Sequence, residues 1–194
     1  MKRKLDVNKL VKISMLGAIA TILMLIEIPL IPMFPLLKID LGDIPAMIGA
    51  FAFGPLAGVM ITFLKILLNF IFEGSATGGV GEFANFLIGI AMIVPASYIY
   101  HRNKTKKNAI VGLIIGAISL QVIAIFANVY ILLPLYGIDP QGGVMNYIVA
   151  GLLPFNTIKA IIIAIVTFIL YKKVSKAVFN EETFSKKSKE LTEN

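Results

Sequence analysis

Asn156 and Lys159 stand three residues apart inside the last apolar segment, 145–171, which places them on one face of a helix. Lys159 is the only charge in that segment. An ammonium at the centre of a bilayer costs about 2.5–3.5 kcal/mol on insertion scales, so it must face protein, water or a ligand. Pro154, a turn earlier, lacks a backbone N–H and frees the carbonyl of Ala150. Amide, cation and exposed backbone together make a polar pocket. The competing account is a lysine that snorkels to the interface and an amide that joins two helices. The other polar groups embedded in apolar stretches are Asn85, Gln121, Asn128 and the i, i+4 pair Lys65 and Asn69. Lys65 is expected to pair with a carboxylate in the bundle rather than to touch a ligand. An asparagine offers both a donor and an acceptor, and small-molecule sites are mostly apolar with a few placed polar groups. The chemistry implied is recognition of a neutral, flat, hydrogen-bonding small molecule. Catalysis is not implied, because the spans hold no convincing nucleophile or acid–base pair.

The elements that must position these groups are apolar throughout. Of 194 residues 58% are hydrophobic, with a mean hydropathy of +0.88, against about 45–50% in soluble domains. The chain therefore reads as an integral membrane protein. It has no cysteine and one histidine, which excludes disulfides, cysteine-ligated metal, a histidine metal cluster and a Ser-His-Asp triad. The formal charge of +7 does not indicate nucleic acid. Of the 18 Lys and Arg, all but Lys38, Lys65 and Lys159 fall in clusters at 2–12, 102–107 and 172–189, the flanks of apolar segments. Such clusters report topology.

Six helices are expected, over about 9–27, 44–53, 55–72, 82–100, 109–133 and 145–171. The first apolar run is longer than a signal-peptide core and lacks a small-x-small cleavage site, so it is expected to be retained. Helix 1 carries a stripe of small residues, Ser14, Ala18 and Thr21 with Gly17 beside them, that admits a close helix neighbour. Pro29, Pro32 and Pro35 break the next stretch. It is apolar, so it reads either as a lid over a pocket or as an interfacial loop. Asp43, before Ile44 and Pro45, suits a helix cap. Gly54 and Pro55 make a tight hairpin between helices 2 and 3. The stretch 73–82 is glycine-dense, but the chain has no GxxxxGK[ST] pattern. It is expected to be a flexible outer loop whose backbone could approach a ligand closely.

Placing the basic clusters in the cytoplasm puts both termini and the 101–108 loop inside. The connections 28–43, 73–81 and 136–143 then lie outside. The expected division is a cytoplasmic N-terminus at 1–8, a six-helix transmembrane substrate-binding domain at 9–171 and a charged cytoplasmic tail at 172–194. Acids deep in the spans, which a proton path would need, are missing.

The stretches IDLGDIPAMIGAFAFGPLAG at 39–58, GGVGEFANF at 78–86, NVYILLPLY at 128–136 and PFNTIK at 154–159 resemble the riboflavin-binding S components (RibU family) of energy-coupling factor (ECF) transporters. The likeness extends over nearly the whole chain. The LxDIPA…FGPxxG stretch marks S components broadly, and the other three point to the riboflavin branch. The resemblance implies an all-α bundle of six transmembrane helices in the cell membrane of a Gram-positive-type bacterium. It implies a subunit, not an enzyme, that captures riboflavin, and flavin mononucleotide as a second candidate, from outside with high affinity. Riboflavin is then cargo, and no cofactor is implied. The partners implied are a membrane T component and two ATP-binding subunits, consistent with the missing phosphate loop. The site residues carried over are Asn128, Asn156 and Lys159, with backbone around Leu41 under the apolar first loop. Where the family has Ala-x-x-x-Ala for docking the T component, this chain has Ser14-x-x-x-Ala18. The loaded bundle is expected to dock by helix 1 and to topple in the membrane. Two other readings stay open: an S component for another vitamin or heterocycle, and a ligand-free membrane assembly subunit.

Overall fold

The computed structural model describes residues 7–34, 37–75, 78–137, 139–140 and 142–170. The charged tail at 172–194 and most of the N-terminal segment 1–8 lie outside the described residues. Six helices form the fold: α1 Val7–Met24, α2 Asp43–Phe53, α3 Pro55–Glu73, α4 Val80–Arg102, α5 Lys106–Tyr136 and α6 Gly143–Leu170. All but α2 are long and apolar enough to cross a membrane. Two short strands, β1 Ile28–Pro29 and β2 Lys38–Ile39, pair antiparallel in the connection between α1 and α2.

The outward faces carry large apolar side chains such as Met15, Ile22, Phe63, Ile118 and Ile165, each about half exposed or more. In water such a surface would aggregate; in a bilayer it is the lipid contact. The interior is built instead on small residues. Gly112 and Gly116 of α5 lie so close to α4 that a Cβ would meet the backbone oxygens of Ala96 and Met92 at 2.5 and 2.6 Å. Small residues let transmembrane helices approach until backbone touches side chain, and dispersion then holds them.

α2 has 11 residues, about 16 Å of helix, and is buried from Asp43 to Phe51. It ends at Gly54, whose φ of 106° suits glycine, and Pro55 opens α3 at once. Lys9 of α1 donates to the Phe53 carbonyl at 3.0 Å, and His101 of α4 lies 3.0 Å from the Ala50 carbonyl oxygen. The α2–α3 turn thus sits beside the start of α1 and the end of α4.

Three expectations are corrected. The small-residue stripe of α1 is split, with Gly17 and Thr21 buried and Ser14 and Ala18 facing outward. Gly17 packs on Leu64 of α3. Asp43 is not a cap: Gly42 holds that position without a side-chain hydrogen bond, because the carboxylate turns inward to two lysines. The fifth helix, expected over 109–133, does not end ahead of Pro134. A π-helical turn over Asn128–Leu132 precedes it, Leu133 N–H bonds back to the Asn128 carbonyl, and the helix runs on to Tyr136. α6 repeats the device, with a π turn over Tyr147–Leu152 just before Pro154. A wide turn ahead of a proline absorbs its missing donor and ring, and such turns cluster at functional sites.

Candidate functional site

Beyond the close α4–α5 contact the helices part around a cavity of about 580 Å³. That lies within the usual range for small-molecule sites, about 300–1,000 Å³. Its walls come from the ends of α1, α3, α4, α5 and α6 and from the loop around β2. Asn128, Asn156 and Lys159 all line it, brought together from two helices. Leu41 does not. It is 41% exposed, its carbonyl accepts the Ile44 N–H, and its neighbour Asp40 lines the cavity in its place.

Each amide is set up differently. Asn128 donates to the Ala124 carbonyl at 2.8 Å and accepts from the Tyr147 hydroxyl at 3.1 Å. One N–H and one lone pair remain for a ligand. The Asn156 Nδ2 is buried and has no hydrogen-bond partner. An unmade bond of that kind costs about 1–3 kcal/mol, which a ligand acceptor would recover. Gln121, by contrast, joins helices, donating to the Leu153 carbonyl and to Thr157 Oγ1 at 3.0 and 2.8 Å.

Lys159 does not snorkel. Its Nζ lies 3.2 Å from Asp40 Oδ2 and 2.8 Å from Asp43 Oδ2, the second without the alignment of a hydrogen bond. Lys65 pairs with a carboxylate, as its burial requires, and reaches both: Asp43 Oδ1 at 2.6 Å and Asp40 Oδ1 at 3.6 Å. All four side chains are at most 7% exposed. In the sequence both aspartates fall within the outer connection 28–43, which gives no sign of a partner inside the bundle. The available signal was charge balance: two lysines buried in apolar helices demand two counter-charges.

The segment between α1 and α2 closes one side. Phe34, Leu37 and Ile39 are buried against Leu133, Tyr147, Leu152 and Phe155. Phe34 meets the Tyr147 ring edge-on at 5.3 Å, and Gly151 leaves it room, since a Cβ there would lie 2.9 Å from the Phe34 ring. At the rim Lys38 pairs with Glu27 at 2.8 Å, which raises the lysine above its ordinary range. The glycine-dense loop is held by hydrogen bonds: Ser75 Oγ donates to Glu82 at 2.9 Å and accepts Gly79 N–H at 2.8 Å, while Gly74 and Gly81 line the cavity. A second groove of about 510 Å³ between α5 and α6 is almost wholly apolar and opens toward lipid. The recognition groups converge on the first cavity.

Comparison with known proteins agrees with this geometry. The family model described as "ECF transporter, substrate-specific component" matches residues 8–171. The chain is similar to the riboflavin transporter RibU of Staphylococcus aureus, 39% identical over 90% of this chain and 95% of that protein. It is also similar to the riboflavin transporter FmnP of Bacillus subtilis, 34% identical over 88% and 93%. A solved structure described as the S component of a bacterial ECF transporter superposes with a TM-score of 0.76 at 38% identity, covering 88% of this chain and 97% of that one. These relatives are transport proteins, not enzymes, and the chain is a multi-pass membrane protein that belongs to the family of substrate-specific components of ECF transporters.

Proposed function

We propose that this chain is the riboflavin-binding subunit of an ECF-type importer. It captures the vitamin with high affinity at the outer face of the cell membrane of a Gram-positive-type bacterium. It delivers the vitamin together with a T component and two ATP-binding subunits. The observation that carries the reading is the convergence of Asn128, Asn156 and Lys159 on one cavity of suitable size, in a chain similar along most of its length to riboflavin transporters. A flavin ring edge offers the carbonyl and ring-nitrogen acceptors and the imide donor that two amides and an ammonium can satisfy. The apolar walls, Leu37, Leu133, Leu152 and Phe155 among them, suit its faces.

Six crossings with both termini cytoplasmic follow from the basic clusters. The contact of Lys9 with Phe53 and of His101 with Ala50 supports them, because it puts the far end of α2 on the side where α1 begins. Ser14 and Ala18 on the outward face of α1 are the small residues offered to the T component, on which the loaded bundle docks before it topples. Vitamin uptake by cells that carry Ala18→Trp is expected to fall, and unchanged uptake overturns the docking face.

The substrate is tested by titrating riboflavin into stripped, detergent-purified protein and following the quenching of flavin fluorescence. Saturable quenching, weakened by Asn128→Ala and by Lys159→Ala, is expected. No quenching, with no flavin absorption in the protein as purified, overturns riboflavin. A vitamin panel, with flavin mononucleotide among the ligands, then separates another heterocycle from a ligand-free assembly subunit.

A further inference from the structure

A lysine at the inner wall of a cavity would ordinarily be read as a hook for a carboxylate or a phosphate. The four buried charges around Lys159 argue the opposite. Two cations and two anions alternate in a closed ring, Lys159–Asp40–Lys65–Asp43, with contacts of 3.2, 3.6, 2.6 and 2.8 Å. Each of the four carboxylate oxygens faces one ammonium, and Asp40 Oδ1 also accepts the Gly42 N–H at 2.9 Å. The ring carries no net charge. Lys65 is fully buried and does not reach the cavity, whereas Asp40 and Lys159 share its wall. Gly42 makes the approach feasible: a Cβ there would lie 2.6 Å from the Ala20 carbonyl oxygen and 2.7 Å from Cδ of Lys65.

We infer that Asp40, Asp43 and Lys65 are positioning residues that determine specificity, turning Lys159 from a free cation into a neutralised donor, so that the inner end of the cavity takes an uncharged acceptor and refuses an anion. An ammonium has three donors; Lys159 spends one on the hydrogen bond to Asp40 and meets Asp43 as an ion pair. Donor capacity is left for a ligand oxygen such as a ring carbonyl. An anion at the same place would gain the attraction of Lys159 but meet Asp40 on the same wall. Lys65 supplies the second counter-charge to the two aspartates without adding charge where the ligand sits. The inference rests on the riboflavin reading only for the choice of one probe.

The test uses the full chain in detergent with two probes, riboflavin and sodium sulfate, the latter at constant ionic strength against sodium chloride. In the wild-type protein the riboflavin affinity is not expected to depend on sulfate, and its melting temperature sets the baseline for the general exclusion effect of this salt. Asp40→Asn frees one positive charge beside the cavity. Its riboflavin affinity is expected to fall by about tenfold, the worth of one hydrogen bond, and to become competitive with sulfate, and sulfate is expected to raise its melting temperature more than that of the wild type. Asp43→Asn frees the same charge and stands in if Asp40→Asn does not fold. The double variant Asp43→Asn/Lys65→Met removes one charge of each sign. It is expected to respond to sulfate as the wild type does while its riboflavin affinity falls, because Lys159 has lost one anchor. A wild-type riboflavin affinity that sulfate weakens by competition, or aspartate variants that respond to sulfate and bind riboflavin as the wild type does, overturns the inference. A wild-type protein that fails to bind riboflavin while the melting temperatures follow the expected pattern overturns the riboflavin reading and leaves the neutral ring standing.

Discussion

Helices α4 and α5 meet at one end and part at the other, and the two ends solve different physical problems. Where α5 begins, Gly112 and Gly116 lie against the α4 backbone, and Ala96 and Ala109 are fully buried between the helices. The polar side chains there are already satisfied, Ser97 donating to the Ile93 carbonyl of its own helix and Asn108 to the Ile99 carbonyl of α4, and close packing holds the pair. At the far end Asn85 and Asn128 line a cavity, a π turn widens α5, and a ring of four charges closes the floor. There each polar group must find a partner or stay unpaired at a cost. The tight end resists change of size and the open end resists change of charge. A ligand can profit at the open end, because there an unpartnered donor, Asn156 Nδ2, belongs to a residue that lines a cavity.

Substitutions can break or sharpen that contrast. The largest effect is expected from Lys65→Met, which leaves two buried aspartates facing one lysine. Loss of one partner of a buried pair costs about 3–5 kcal/mol, read as a lowered melting temperature in detergent, whereas Lys65→Arg, which keeps the charge, should lose less. Gly112→Val comes next. It overpacks a contact with no slack, for about 1–3 kcal/mol, and because the strain sits far from the cavity, riboflavin affinity per folded molecule should hold. If affinity falls in step with stability, the two ends are not separable.

Asn156→Ala should split the two readouts in the other direction. Deleting a buried donor without a partner leaves the ligand-free protein as stable as before or slightly more so. Riboflavin affinity should fall by about tenfold, the worth of one hydrogen bond of about 1.4 kcal/mol. The smallest effect belongs to the rim. Glu27→Gln removes an exposed partner of Lys38, worth about 0–1 kcal/mol, and should show as faster amide exchange over 28–39. Glu27 raises the Lys38 pKa, chiefly by its hydrogen bond and then by its charge. The contribution of the pair is therefore complete below the unfolded lysine value. It is lost only as pH rises through the higher folded value, so exchange in the wild-type rim should not change between neutral and mildly alkaline pH.

Much of this was readable along the chain. The i, i+3 spacing of Asn156 and Lys159 places both on one face, and both line the cavity. The cost of a charge in hydrocarbon announced that Lys159 would not face lipid. Gly54 and Pro55 announced the tight turn between α2 and α3. These features are local: helical period, a turn residue with positive φ, and hydropathy act over a few residues and leave their mark in the order of the chain.

Other features depend on residues far apart. Asp40 and Lys159 are 119 positions apart, and no local rule distinguishes an aspartate that caps a helix from one that turns inward to two lysines. The split of the α1 stripe depends on α3, because Leu64 decides which side of α1 is inside. The continuation of α5 past Pro134 depends on a π turn that local propensity does not favour. The sequence by itself determined that the chain is a membrane bundle of helices with amides and buried lysines to satisfy. Only the tertiary structure decided which carboxylates balance those lysines and which donors remain for a ligand, because a buried charge is stabilised by whatever partner the fold brings within about 4 Å.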